Sequence, residues 1–229
     1  MKVQLQIKMN DGLFLRNPES SELGKKIIQY SIILINESGF ESFTFKKLAE
    51  EINSTEASVY RYFENKHRLL IYIVAWYWNW LEYQISFQTN NIESPIVKLK
   101  KIITLLATSV GDDESTIYVN ESLLHQIVIS EGSKVYLTKQ VDEDNKLHFF
   151  KPYKDLCATI GNIILEVNPD YKYPKSLAST IVEMAHFQNY FKIHLPLLTD
   201  FGENKYEIEI ISFLENLVFS SLNIQEHSL

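Results

Sequence analysis

The chain has 229 residues, 45% hydrophobic and 22% charged, which is enough to bury a substantial core and too apolar for a disordered chain. Seven Gly and six Pro are too few for a turn-rich β-fold, and the single cysteine, Cys157, excludes an intramolecular disulfide. The net charge of −7 is segregated: residues 1–85 hold ten Lys/Arg and ten Asp/Glu, whereas 86–229 hold twelve Lys and nineteen Asp/Glu.

A neutral N-terminal part tolerates nucleic-acid binding without demanding it. No charge-free apolar run is long enough to span a bilayer. Val3, Leu5 and Ile7 alternate with polar residues instead of forming the apolar block of a secretory leader, so a cytoplasmic protein is expected.

Residues 1–20 read as an N-terminal arm: a short hairpin around Asn10-Asp11-Gly12, a loosely held tail, or an arm touching DNA, with Pro18 closing it. A first helix is predicted from Ser21 to Ser38, with Leu23, Ile27, Tyr30 and Leu34 as its apolar stripe and Gly39 as its stop. Thr44 caps a second helix, whose Phe45, Leu48, Ala49 and Ile52 share one face. Asn53 takes the left-handed turn position, and Thr55 caps a third helix with Val59 and Phe63 toward the core. A fourth helix runs from about Asn65 to Gln84. Further helices are predicted at roughly 95–110, 114–130, 134–144, 152–167, 176–195 and 204–222. The fold class is all-α: a three-helix head over 21–66, followed by a larger helical domain over 67–229.

Two short helices joined by a tight turn form a helix-turn-helix, in which the second helix enters the major groove. Arg61 can donate two hydrogen bonds to guanine, and Ala57, one turn earlier on the same face, offers a contact for a thymine methyl. Ser58, Tyr60 and Tyr62 carry hydroxyls suited to phosphate oxygens. Lys66 and Thr44, at helix N-termini, suit phosphate as well. Glu56 either accepts from a cytosine amino group or is repelled by the backbone. Lys46, Lys47 and Thr55 complete the candidate DNA-facing set.

Several elements together resemble the DNA-binding domain of the TetR family of transcriptional regulators: Gly39-Phe40, Phe43-Thr44-Phe45, Leu48-Ala49-Glu50-Glu51, and the run Val59 to Lys66 followed by Leu69-Leu70. The resemblance covers residues 21–70. It implies an all-helical homodimer with one head per subunit and a divergent C-terminal domain that binds a small-molecule effector. It also implies that the residues matching Lys46, Ala57, Ser58, Tyr60, Arg61, Tyr62 and Lys66 lie at or near operator DNA. Asn53 departs from the usual glycine, and Ser54 stands where an apolar residue usually tucks under the turn.

For the larger domain the resemblance supplies a framework. The last two long helices are expected to dimerise, with Met184, Phe187, Phe191, Phe213, Leu217 and Leu222 as candidates, each equally able to serve the intrachain core. Trp76, Trp80, Tyr118, His125, Cys157, Phe187 and Tyr190 are candidate effector-pocket residues, although an aromatic stripe at helical spacing more often fills a core. No catalytic constellation, metal-ligand spacing or Gly-rich phosphate loop is present, so neither enzyme activity nor a cofactor is expected. The acidic runs Asp112-Asp113-Glu114 and Asp142-Glu143-Asp144 read as solvated loops. The expected partners are operator DNA, a second copy and an unidentified effector, with no membrane. A helical ligand-binding scaffold or enzyme retaining a vestigial helix-turn-helix is the alternative.

Overall fold

Ser21 opens the first helix as predicted: its Oγ accepts the Gly24 N–H, and α1 spans Glu22–Ser42. Gly39 interrupts that helix at φ 76°, ψ 157°, a conformation suited to glycine, so the last residues turn away from the regular axis. The computed structural model describes residues 7–108, 118–201 and 206–224. Among these, eleven α-helices and three short 3-10 turns occur, with no strand.

After α1 come α2 (Phe45–Glu51), α3 (Glu56–Tyr60) and α4 (Lys66–Thr89). The later helices are α5 (Pro95–Ala107), α6 (Glu121–Glu131), α7 (Ser133–Tyr136), α8 (Val141–Lys146), α9 (Lys151–Val167), α10 (Pro174–His194) and α11 (Tyr206–Ser221). Ser94 and Asn120 cap α5 and α6 through their side chains. No helix of the described residues is long and apolar enough to cross a membrane.

The chain divides into two compact units, residues 1–80 with 110–152 and residues 81–109 with 153–229. This partition differs from the division at residues 20 and 66, which is carried forward below as a functional proposal. In the first unit α1 packs on α6 and on the turn at Pro18–Ser20, while α2 packs on α3. Ile27, Ile28, Ile32 and Ile35 of α1 are buried, together with most of α4 from Leu69 to Trp78. In the second unit α5, α10 and α11 pack together around Leu99, Ile102, Ile181, Ile210 and Leu214.

Three expectations change. The described part of the arm, from Ile7, is neither a hairpin nor a loose tail. Ile7, Met9 and Leu13 are buried, and the Leu15 N–H donates to the Tyr62 carbonyl at 2.8 Å. A Cβ on Gly24 would lie 2.1 Å from the Pro18 carbonyl oxygen, so arm and helix approach as closely as glycine allows. Second, the predicted 134–144 helix is two pieces, because Leu137 leaves helical geometry at φ −89°, ψ 56°. Third, Asp142-Glu143-Asp144 is the first turn of α8, where carboxylates favour the helix N-terminus, and Asp144 is only 2% exposed. Asp112-Asp113-Glu114, Val3 and Leu5 lie outside the described residues.

Candidate nucleic-acid interface

The head follows from local rules. Thr44 and Thr55 cap α2 and α3, each Oγ1 accepting a backbone N–H three residues on at 3.2 Å. Phe45, Leu48 and Ala49 bury one face of α2 and leave Lys46 and Lys47 exposed. Asn53 turns the chain at φ 51°, and the Ser54 N–H closes the turn on the Ala49 carbonyl at 2.8 Å. Ser54 itself is half-buried in the corner.

Only Val59 of α3 is buried. Glu56, Ala57, Tyr60 and Arg61 are exposed; Ser58 is half-buried, its Oγ 2.9 Å from the Thr55 hydroxyl. Arg61 keeps helical backbone geometry at φ −70°, ψ −19°, so it stays on the Ala57 face although α3 ends one residue earlier. Among the described residues the Arg61 guanidinium has no hydrogen bond or ion pair. The Tyr60 ring stands edge-on to Phe45 at 4.9 Å, which holds it against α2.

Two expected phosphate anchors point inward instead. Tyr62 is 2% exposed, and its hydroxyl lies 2.7 Å from Ser21 Oγ at the start of α1. The chain has left α3 at this point, so Tyr62 does not stay on the exposed face of the reading helix. The Arg16 guanidinium covers the Tyr62 ring at 5.3 Å. Lys66 is occupied as well: its Nζ donates to the carbonyls of Phe40, Glu41 and Phe43 at 3.0, 3.1 and 3.2 Å. It is a cation closing the C-terminal end of α1, 4.7 Å from the Phe40 ring. Lys47 is exposed but bonded to the Ser42 carbonyl at 2.8 Å, leaving Lys46 the cation of α2 with no internal tie among the described residues.

Sequence reasoning missed the groups that brace this head. Glu131 Oε1 accepts the Phe40 N–H at 3.0 Å beside the Gly39 break, and Lys134 bridges Glu131 and Glu41 at 2.8 and 3.0 Å. Phe40 and Glu131 are 91 residues apart, and no local pattern announces their pairing.

The effector-pocket candidates fall in both units. In the first, Trp76 and Trp80 are buried at 2% and 5% exposure, and Tyr118 donates to Glu19 Oε1 at 2.7 Å. His125 Nδ1 lies 2.7 Å from the Tyr77 hydroxyl in the same aromatic core. In the second, Cys157 is half-buried with its thiol pushed up to about 11 by burial, Phe187 is exposed, and Tyr190 stacks near His194. Among the dimer candidates Phe187 and Phe213 are exposed at 47% and 38%, while Met184, Phe191 and Leu217 are half-buried. Leu222 is core at 2% exposure, because it continues the every-fourth-residue stripe Ile210, Leu214, Val218.

Burial lowers the His125 imidazole to about 4, against 6.5 for a free histidine. The unfolded chain therefore binds this proton first as pH falls. The stability contributed by the neutral buried ring is full above 6.5 and is lost toward 4. Between pH 7 and pH 5 this group alone should remove roughly 2 kcal/mol. Urea midpoints at the two pH values check it, with His125→Gln abolishing that part of the difference.

With this geometry in place, comparison with known proteins gives a consistent result. Residues 27–73 match the family model described as bacterial regulatory proteins, tetR family. No curated protein matches in sequence. Among solved structures, AibR in complex with isovaleryl coenzyme A and operator DNA superposes with TM-score 0.60 at 17% identity, covering 85% of this chain and 98% of AibR. A TetR transcriptional regulator from Legionella pneumophila gives 0.57 at 19% identity, over 86% and 97%. The fatty acid degradation regulator FadR from Bacillus halodurans gives 0.57 at 15%, over 84% and 96%. Residues 27–73 thus carry the match to the tetR family model, and the chain as a whole has the fold shared by these solved regulators.

Proposed function

We propose that this protein is a cytoplasmic, homodimeric transcriptional repressor that reads operator DNA through α3 and is released by a small-molecule effector. The observation that carries the reading is the α3 surface: Ala57 and Arg61 exposed on one face, with no partner for the Arg61 guanidinium among the described residues. Ser58, Tyr60 and the caps Thr44 and Thr55 supply hydroxyls around it, and Lys46 supplies a cation for phosphate. Glu56 stands on the same helix as a discriminating carboxylate. Residues 21–66 form the reading domain in this scheme, and 67–229 the effector-binding and dimerising domain.

AibR, which shares the fold, was solved with both an acyl coenzyme A and operator DNA, and this supports the pairing of functions. The exposed Phe187 and Phe213 on α10 and α11 support dimerisation through those helices, with Met184, Phe191 and Leu217 beside them. Effector binding would shift α4 and change the separation of the two heads from the ~34–36 Å that suits successive major grooves. Identical head spacing with and without effector would rule this route out.

Titration of the protein with its own upstream DNA, read by fluorescence anisotropy, tests the reading. Arg61→Ala should cost ~1–3 kcal/mol, roughly 5- to 150-fold in affinity, and relax preference at one base pair. Lys46→Ala should weaken all sequences alike and flatten the salt slope by about one unit. If neither substitution changes binding, the head is vestigial and the helical-scaffold alternative stands.

A further inference from the structure

The first unit contains a cavity of about 340 Å³ in a place where no effector site was expected. Its walls are the arm residues Ile7, Met9, Phe14, Asp11 and Glu19, closed by Tyr72 of α4. It shares no residue with the aromatic, His and Cys positions expected to line an effector pocket. Its volume lies at the small end of ligand sites.

Its chemistry is specific. Ile7, Met9, Phe14 and Tyr72 form an apolar and aromatic wall, with Phe14 and Tyr72 packed edge to face at 6.2 Å. The charged residues of the lining are two carboxylates, Asp11 and Glu19, and one ammonium, Lys8, an excess of one negative charge. The Asn17 side chain also lines the cavity, but it is committed to capping, its Oδ1 accepting the Glu19 N–H. Glu19 Oε1 accepts the Tyr118 hydroxyl at 2.7 Å, which fixes the carboxylate in the cavity wall beside Tyr72. Tyr72 is 1% exposed, and its hydroxyl stands beside the Glu19 carboxylate without closing a hydrogen bond in full bonding geometry, so its oxygen remains able to accept from a ligand N–H. Burial and the neighbouring Glu19 carboxylate hold that phenol above its usual range, so it stays neutral. A buried hydroxyl short of a full hydrogen bond is costly, and a ligand that completes it recovers that cost.

We propose that this cavity binds a small apolar monocation, an aryl- or alkylammonium ion. The ammonium sits between Asp11 and Glu19 with one N–H directed at the Tyr72 oxygen, and the apolar body lies against Phe14 and Ile7. The arm that forms the cavity is fastened to the segment just after α3 through Leu15 N–H to Tyr62 O and through Arg16 over the Tyr62 ring. Occupancy would therefore stiffen the base of the reading helix. That consequence rests on the DNA-binding reading, whereas binding itself does not.

Isothermal titration of the full chain with phenethylammonium, without DNA, tests the site. Saturable one-to-one binding is expected, weakened at least tenfold by Glu19→Gln and by Asp11→Asn, the latter at an exposed position where folding is not at stake. Glu37→Gln, exposed on α1 and outside the cavity, should leave it unchanged. Absence of saturable binding would overturn the proposal. So would equal affinity for 3-phenylpropionate, an anion of similar shape, or binding indifferent to both carboxylate substitutions. Failure of DNA binding in a separate titration would leave this site standing and remove only its regulatory consequence.

Discussion

Replacing Lys66 by Met should lower stability by roughly 2–3 kcal/mol and leave the salt slope of DNA binding unchanged. The ammonium donates to three carbonyls at the C-terminal end of α1, where helix carbonyls have no further intrahelical partner. Its charge also complements the negative end of the α1 dipole, and it lies over the Phe40 ring at 4.7 Å. Methionine keeps most of the apolar stem, so the change isolates the lost hydrogen bonds and charge. A urea titration reads the effect as a shifted midpoint at constant slope. The contrast is Lys46→Ala, which should do the reverse: little change in stability and one fewer phosphate contact. A Lys66→Met protein with an unchanged midpoint and a salt slope reduced by about one unit would return Lys66 to the DNA interface.

The inward placement of Lys66 marks the limit of what local sequence pattern conveys. Features that depend on neighbours within four residues came through. Ser21, Thr44 and Thr55 cap their helices, Asn53 takes the left-handed turn, and Phe45, Leu48 and Ala49 form the buried face of α2. Ala57 and Arg61 remain on one face for the same local reason. Features that depend on where a short helix stops did not. With α3 ending at Tyr60, Tyr62 leaves the exposed face and reaches Ser21, 41 residues away in sequence. Charge patterns misled in the same way. A run of three acidic residues reads as solvated until Arg68, 76 residues away, is placed beside Asp144. Leu222 was legible in principle, because its spacing from Ile210, Leu214 and Val218 marks the core stripe of α11. The apolar richness of the last helices left two stripes to choose between.

The pair formed by Arg68 and Asp144 should show strong energetic coupling. Asp144 has its side chain 3% exposed and accepts from Arg68 Nη1 at 2.8 Å, while Arg68 is 21% exposed and lies over the Phe149 ring at 4.4 Å. The other Asp144 oxygen is 3.7 Å from His67 Nε2 and has no hydrogen bond. Removing either partner strands the other, but unequally. Arg68→Met leaves a carboxylate buried with only a distant imidazole, and should cost ~3–5 kcal/mol. Asp144→Ala leaves a guanidinium that can turn toward solvent and toward Glu64, 3.9 Å from its Nε, so its cost should be smaller. The double variant should be less destabilised than Arg68→Met alone, since no buried charge remains. A double-mutant cycle in urea measures this directly, and additive losses would show the two groups to be independent. Because Arg68 lies on the first turn of α4, immediately after the reading head, the same variants carry a functional readout. If the pair anchors the base of the head, Arg68→Met should weaken operator binding without changing base preference, since Arg61 and Ala57 are untouched. A change in preference at a single base pair would instead place Arg68 in the groove.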